Sequence, residues 1–270
     1  MLTPSQQQCY LARINVDMPQ PLSLSSLQTL MQAHLYHVPF ENLDIPLGKT
    51  LSLEYNDLFS KIIENKRGGF CYEVNYLFSQ LLKSFGYQIN LLAANVWSNG
   101  RYGPDFDHLL IRVKLPEDDA IVDVGFGDSF RVPVPLSGEQ INDGFHHYQL
   151  QQSGQEYVLV KTTGQGEQSQ QYKFTLRSWT IADFSDMCRY QQTSSESQFS
   201  RNSICTIADK TGRKTISNGQ LIITEHNRKT RIEYRDIDTY KQALLQHFGI
   251  ELPELEINQN INKLLFRLKE

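Results

Sequence analysis

The hydrophobic period of this chain changes at Gly86, and that change limits the fold more than any other feature. Ahead of it, apolar side chains recur every three or four residues; beyond it, they alternate or gather in short β-branched runs. A period near 3.6 buries one stripe of a helix, and a period of two buries one face of a strand. One part of the chain is therefore expected to be helical and the next strand-rich.

The helical part has readable punctuation. Thr3-Pro4 is a helix start with Pro at the first position. From Ser25 onward, Leu27, Leu30, Met31 and Leu35 share a face, and Pro39 ends the segment. From Ser52, Tyr55, Leu58, Phe59, Ile62 and Ile63 repeat the pattern until Arg67-Gly68-Gly69. A further helix begins near Cys71, carries Val74, Leu77, Phe78, Leu81, Leu82 and Phe85 inward, and meets Gly86 where a C-terminal cap glycine belongs.

Beyond Gly86, strands are expected at 88–97, 108–115, 120–124, 147–151, 156–161 and 171–177, with the polar run 164–171 as a hairpin tip. Further strands are expected at 203–208, 214–217, 220–225 and 230–234. Asp238 would then cap a helix from about 239 to 248, closed by Gly249, and a last helix would run from about 258 to 269. There are no internal repeats.

Composition narrows the function. Lys and Arg number 26 against 30 Asp and Glu, a net charge of −4 without a basic run, which argues against a nucleic-acid partner. No stretch approaches the ~20 apolar residues of a membrane span, and the first residues, MLTPSQQQCY, do not read as a secretory signal. The 14 Phe and 13 Tyr can bury a core although only 40% of residues are hydrophobic. Cys9, Cys71, Cys188 and Cys205 are too sparse for a disulfide framework and too scattered for a metal site. Reduced thiols in the cytoplasm, and no metal, are the expectation.

Only Cys71 has surroundings that point to chemistry. In RGGFCYEVN (67–75), two glycines make a permissive turn and an amphipathic helix follows at once, so Cys71 sits at a helix N-terminus. The dipole there favours a thiolate. A buried cysteine of a core helix is the plainer alternative.

A thiolate nucleophile needs a histidine, and the histidine an acceptor that orients it. His34, His37, His226 and His247 read as solvated or capping, and His146 and His147 as weaker candidates. His108 opens the strand HLLIRVKL, facing away from Leu109, Ile111 and Val113. Asp123 lies in the apolar run AIVDVGFGD, where an unpaired carboxylate would be costly. The short link 116–119 pairs the two segments as a hairpin, in which His108 meets Asp123. A purely structural His–Asp pair fits the same pattern. Glu41 and Arg67 are expected to pair and brace the turn ahead of Cys71, although two solvated charges worth under ~1 kcal/mol would also fit.

RGGFCYEVN, the preceding VPFENLDI (38–45), DHLLIRV (107–113) and VDVGFGD (122–128) resemble, in order and spacing, the signature blocks of the arylamine N-acetyltransferases. The stretch 189–215 resembles the C-terminal block of that family. The resemblance implies an α+β fold: an N-terminal helical bundle (1–86) carrying the nucleophile, a central β-barrel (87–190) carrying His and Asp, and a C-terminal α/β lid (191–270). It also implies a Cys71–His108–Asp123 triad similar to that of cysteine proteases. Phe70, Gly125 and Phe126 match positions near the arylamine, and Gly127 and Tyr190 positions near the coenzyme. Two departures stand out: Asp128 where the family commonly has a further glycine, and Ser-Ser-Glu-Ser at 194–197, where Glu196 sets a charge against an anionic coenzyme.

The expected reaction is acetyl transfer from acetyl-CoA to an arylamine or arylhydrazine through an acetyl-cysteine, by a ping-pong mechanism, with no metal and no nucleic-acid or membrane partner. A related amide synthase acting on a larger acyl thioester, or a Cys-His-Asp hydrolase, would use the same three residues.

Overall fold

The computed structural model describes residues 1–17, 22–226, 228–252 and 262–265. The helices follow their sequence signals. α1 (Pro4–Ile14) begins at a Thr3/Gln6 capping box, satisfying N–H groups that a helix start leaves unpaired. α2 (Leu24–His37) buries Leu27, Leu30 and Met31 and ends before Pro39. After β1 (Phe40–Glu41), the segment expected as one helix from Ser52 is shorter and changes pitch: α3 spans Tyr55–Phe59 and runs into a π-helical turn, Ser60–Glu64. α4 (Cys71–Ser84) follows, and Gly86 at φ 95° ends it as expected.

The barrel strands are β2 (Gln88–Ser98), β3 (Arg101–Tyr102), β4 (His108–Lys114), β5 (Ala120–Val122), β6 (Val134–Pro135), β7 (Ile141–Asn142), β8 (His147–Ser153), β9 (Glu156–Thr162) and β10 (Gln168–Thr175). They pair antiparallel in the order β6-β5-β4-β2-β10-β9-β8-β7, with β3 on β2. β6 also comes against β8, which curls the sheet into a nearly closed barrel. Several strand bounds differ from expectation by a few residues, and the short strands β3, β6 and β7 were not expected. The β9–β10 turn occupies only Thr163–Glu167, because the polar residues 168–170 pair with β9 despite their exposure. β5 stops at Val122, so Asp123 lies just past the strand rather than within it.

The last elements are α5 (Ser185–Thr193), α6 (Gln198–Arg201), β11 (Ile204–Ala208), β12 (Gly212–Ser217), β13 (Gln220–Glu225), β14 (Arg228–Glu233), α7 (Ile237–Phe248) and the turn α8 (Asn262–Leu265). α7 is capped by Asp236, not Asp238: the Asp236 side chain accepts from the Thr239 N–H at 2.9 Å. Asp238 sits in the first turn, where its charge still suits the dipole. Apart from α8, the helix expected at 258–269 falls outside the described residues.

The chain forms two compact units that interleave in sequence: 1–34 with 71–184, and 35–70 with 185–270. The first holds the barrel and α4, whose Val74, Leu77, Phe78, Leu81 and Leu82 are buried. In the second, β1-β11-β12-β13-β14 form an antiparallel sheet, with Leu43, Leu47, Cys205, Ile216, Leu221, Tyr240, Leu244 and Phe248 among its core residues. The segment 35–70 is part of that core, since Phe40 pairs with Thr206 and Asn42 donates to the carbonyls of Phe199 (2.9 Å) and Asn202 (2.8 Å). Among the described residues, no helix is long and apolar enough to cross a membrane.

Candidate active site

Within the first unit, Cys71 is the first residue of α4 and is 4% exposed. At that position the helix dipole favours an anion. His108 opens β4 and Asp123 follows β5. The two strands are the expected hairpin, with Ile111 opposite Val122. Nε2 of His108 lies 2.7 Å from Oδ2 of Asp123, and both side chains are buried.

Asp123 is held from several sides. Its Oδ1 accepts the Gly125 N–H at 2.9 Å and the Asn75 Nδ2–H at 2.9 Å. Burial would raise the pKa of this carboxyl, but the facing His108 and the hydrogen bonds from Asn75 and Gly125 outweigh it, and the pKa lies below the ordinary aspartate range. Asp123 is therefore a buried carboxylate kept ionised by its partners.

Gly125 brings this loop onto the first turn of α4. A Cβ there would stand 2.8 Å from the Cα of Cys71, 2.8 Å from Nδ2 of Asn75 and 3.0 Å from a methyl of Val74. No side chain fits without moving backbone. The loop after Asp123 thus lies against the first turn of α4, on the residue expected to be the nucleophile.

Phe126 is half-buried, with its ring 5.3 Å from the His108 ring and nearly perpendicular to it. Tyr172, fully buried, lies 5.4 Å from His108 and 5.2 Å from Phe126, so the three rings pack as a triangle. Burial first, and then the charge of Asp123, push the Tyr172 hydroxyl pKa well above its usual value. Gly127 has φ 88°, a left-handed conformation that favours glycine. Asp128 is exposed, and its Oδ2 is 3.7 Å from Lys161 Nζ.

In the second unit, the turn that precedes Cys71 in the chain is built on buried charge. Arg67 donates from Nε to Glu41 Oε1 and from Nη2 to Asp44 Oδ1, each at 3.0 Å. Glu41 also accepts the N–H groups of Leu43 (2.7 Å) and Gly68 (3.3 Å), and Lys61 lies 2.7 Å from Asp44. Burial would raise the Asp44 carboxyl, but Lys61 and Arg67 bring its pKa down to about 2. The expected Glu41–Arg67 brace is present and has two further members. Phe70 is fully buried with its ring 5.8 Å from that of Phe199, and Tyr190 lies on α5, 39% exposed. Glu196 is exposed.

One histidine departs from expectation. His34 is not solvated: it is fully buried, its Nδ1 is 2.8 Å from the Tyr10 hydroxyl, and its ring meets Phe78 edge-on at 5.1 Å. The polar groups that sequence reasoning passed over are Asn75 and Asp44. Asn75 lies one helical turn after Cys71, a spacing that shares a face. Asp44 stands three residues after Glu41 in the same block. Among the described residues, no group of three or more His, Cys, Asp or Glu side chains is placed to hold a metal ion.

The chain matches a family model described as N-acetyltransferase over residues 23–257. It is 30% identical to the pineal gland arylamine N-acetyltransferase isozyme NAT-10 of Gallus gallus, over 88% of this chain and 91% of that protein. It is 28% identical to arylamine N-acetyltransferase 2 of Mus musculus, over 86% and 89%. Among solved structures, the arylamine N-acetyltransferase of Mycobacterium marinum in complex with CoA superposes with a TM-score of 0.87 at 26% identity, covering 96% of this chain and 100% of that one.

Proposed function

The chain belongs to the arylamine N-acetyltransferase family, and from that premise we propose that it carries an acetyl group from acetyl-CoA to the nitrogen of an arylamine or arylhydrazine, using Cys71, His108 and Asp123. The observation that carries this reading is the 2.7 Å contact between His108 Nε2 and Asp123 Oδ2, on a loop that Gly125 seats against Cys71.

With Nε2 committed to Asp123, the imidazole keeps Nδ1 for the Cys71 proton. The thiolate attacks the acetyl carbonyl, the C–S bond to CoA breaks, and the His108 imidazolium gives its proton to the departing sulfur, leaving acetyl-Cys71, the CoA thiol and a neutral imidazole. The neutral nitrogen of the amine then attacks the new thioester, His108 takes its proton, and Cys71 leaves as thiolate. The Cys71 backbone N–H, at a helix start, suits the developing oxyanion. Asp123 stays ionised throughout and stabilises the imidazolium.

Phe126, half-buried against His108, suits one face of an aromatic acceptor; Phe70 and Gly125 are proposed for the same substrate on their match to the family's positions. Gly127 and Tyr190 are proposed for the coenzyme on the same ground, and 1–86, 87–190 and 191–270 as the three regions of the chain. The mycobacterial relative solved with CoA supports acetyl-CoA as donor. A cytoplasmic place, suited to four free cysteines, and a role in modifying foreign aromatic amines complete the reading.

The test is chromatographic assay of N-acetylated product with acetyl-CoA and a panel of arylamines. Turnover is expected for the intact protein and none for Cys71→Ala. A Cys71→Ala protein that still acetylates amines would overturn the assignment.

A further inference from the structure

Asn75 sits in α4 with no accessible surface, and its carboxamide meets three different segments. Nδ2 donates to the Leu109 carbonyl at 2.7 Å and to Asp123 Oδ1 at 2.9 Å, and Oδ1 accepts the Val124 N–H at 2.8 Å. The orientation of the amide follows from chemistry: the Val124 N–H needs an acceptor and the Leu109 carbonyl needs a donor. Leu109 is the residue after His108, Val124 the residue after Asp123, and Asn75 lies one turn beyond Cys71. A single side chain therefore ties the helix of the nucleophile to the strand of the base and to the loop of its orienting acid.

We propose that Asn75 is a positioning residue of the catalytic centre. It fixes the Asp123 carboxylate so that only Oδ2 faces His108, and it registers that pair against α4. This inference rests on the reading of Cys71, His108 and Asp123 given above. A purely structural asparagine would hold the segments together but would leave the ionisation of Asp123 untouched. Asn75 instead donates directly to the carboxylate, which stabilises the charged form. Replacing that donor by a second carboxyl would place two acids on one proton, and such pairs titrate together with one pKa strongly raised. The shared proton would then neutralise the group that His108 requires as an anion.

The experiment compares the rate of Cys71 acetylation by acetyl-CoA, followed by rapid quench and intact mass, for the full chain and for Asn75→Asp and Asn75→Ala, from pH 5.5 to 9. Rates are expressed per folded molecule, with folding checked by circular dichroism. Wild type should show no limb from Asp123 across this range. Asn75→Asp should be slower by about 100-fold near neutrality and should recover as pH rises, on a limb absent from wild type. Asn75→Ala, lacking the second carboxyl, should be slower by at least ~10-fold without that limb.

A folded Asn75→Asp protein with the wild-type rate, or with a loss equal at every pH, would overturn the proposal. If Asn75→Asp does not fold, Asn75→Ala decides: a rate within about twofold of wild type rules out positioning. If wild type itself is never acetylated at Cys71, the underlying assignment of the centre fails, a result distinct from normal acetylation in the variants.

Discussion

Asp123 meets His108 through one oxygen only: Oδ2 is 2.7 Å from Nε2, while Oδ1 is occupied by the N–H groups of Gly125 and Asn75. This division makes the carboxylate a fixed acceptor that sets the imidazole tautomer. Asp123→Asn should then have an outsized effect. The donors from Gly125 and Asn75 would hold the new amide oxygen, turning its NH2 toward Nε2. His108 would have to accept there and carry its proton on Nδ1, the nitrogen needed by Cys71. Acetylation of Cys71 should fall by about 10³- to 10⁴-fold, with the circular dichroism spectrum unchanged. Near-normal turnover would show that Asp123 is only structural.

The four cysteines allow a chemical test that access alone cannot mimic. Cys9 is exposed, whereas Cys71, Cys188 and Cys205 are buried. Burial, and then the charge of Glu41, push the Cys205 thiol pKa well above its usual value, so it should be inert. If Cys71 is an activated thiolate, one equivalent of iodoacetamide at neutral pH should modify it ahead of Cys9, despite its lower exposure. Peptide mapping reads the site. Labelling that tracks exposure, with Cys9 first, would contradict activation.

Gly125→Ala tests the seating of the Asp123 loop. Its Cβ would lie 2.8 Å from the Cα of Cys71, and backbone cannot swing aside as a side-chain tip can. Forced overpacking of this kind costs about 1–3 kcal/mol, and displacement of the loop should slow acetylation by about 100-fold. Thermal unfolding and the acetylation rate should fall together. An unperturbed enzyme would mean that the loop does not rest on Cys71.

Acid stability should report the buried cluster around Arg67. Folded Asp44 has a pKa of about 2, against ~3.9 for an aspartate in an unfolded chain. A depressed pKa means that the unfolded chain binds more protons in this window. The stabilisation is complete above pH ~4 and is lost as pH falls toward 2, and it amounts to about 2 kcal/mol. Urea midpoints measured from pH 6 to pH 3 should drop less steeply for Asp44→Asn than for wild type. Equal slopes would show that Asp44 gains nothing from Lys61 and Arg67.

Elements whose cause is local were legible in the sequence. The helix start at Thr3-Pro4, the stop before Pro39, the start of α4 at Cys71 and the glycine turns at Gly86 and Gly249 depend on a few neighbouring residues. The π-helical turn at Ser60–Glu64 keeps the same apolar side chains buried as an α-helix would, so periodicity does not reveal it. The choice between Asp236 and Asp238 as cap depends on backbone angles. Interleaving of 35–70 with 185–270 rests on contacts such as Asn42 with Phe199 and Asn202, more than 150 positions apart. A chain ending near Gln192 would leave β1 without β11 and Leu43 without its core, so it is not expected to fold intact.

At the candidate site, charged and nucleophilic residues drew attention and amides did not. His108 and Asp123 were legible because a carboxylate in an apolar run demands a partner. Asn75 carries no charge and sits inside a helix, where an asparagine reads as a weak helix former. Its spacing of four from Cys71 was the available signal. Asp44 lies in the segment 38–45, but only the fold brings Lys61 beside it.

Acetyl transfer through Cys71 requires a covalent intermediate on that residue. The most direct measurement is intact mass spectrometry of the full chain, first after mixing with acetyl-CoA alone and then after adding an arylamine. The account predicts gain of a single acetyl group, located to Cys71 by peptide mapping, with free CoA released before any amine is present. The acetyl group should then disappear as N-acetylated amine forms. Product formed with no acetylated protein at any time, and acetyl-CoA consumed only when the amine is present, would contradict it.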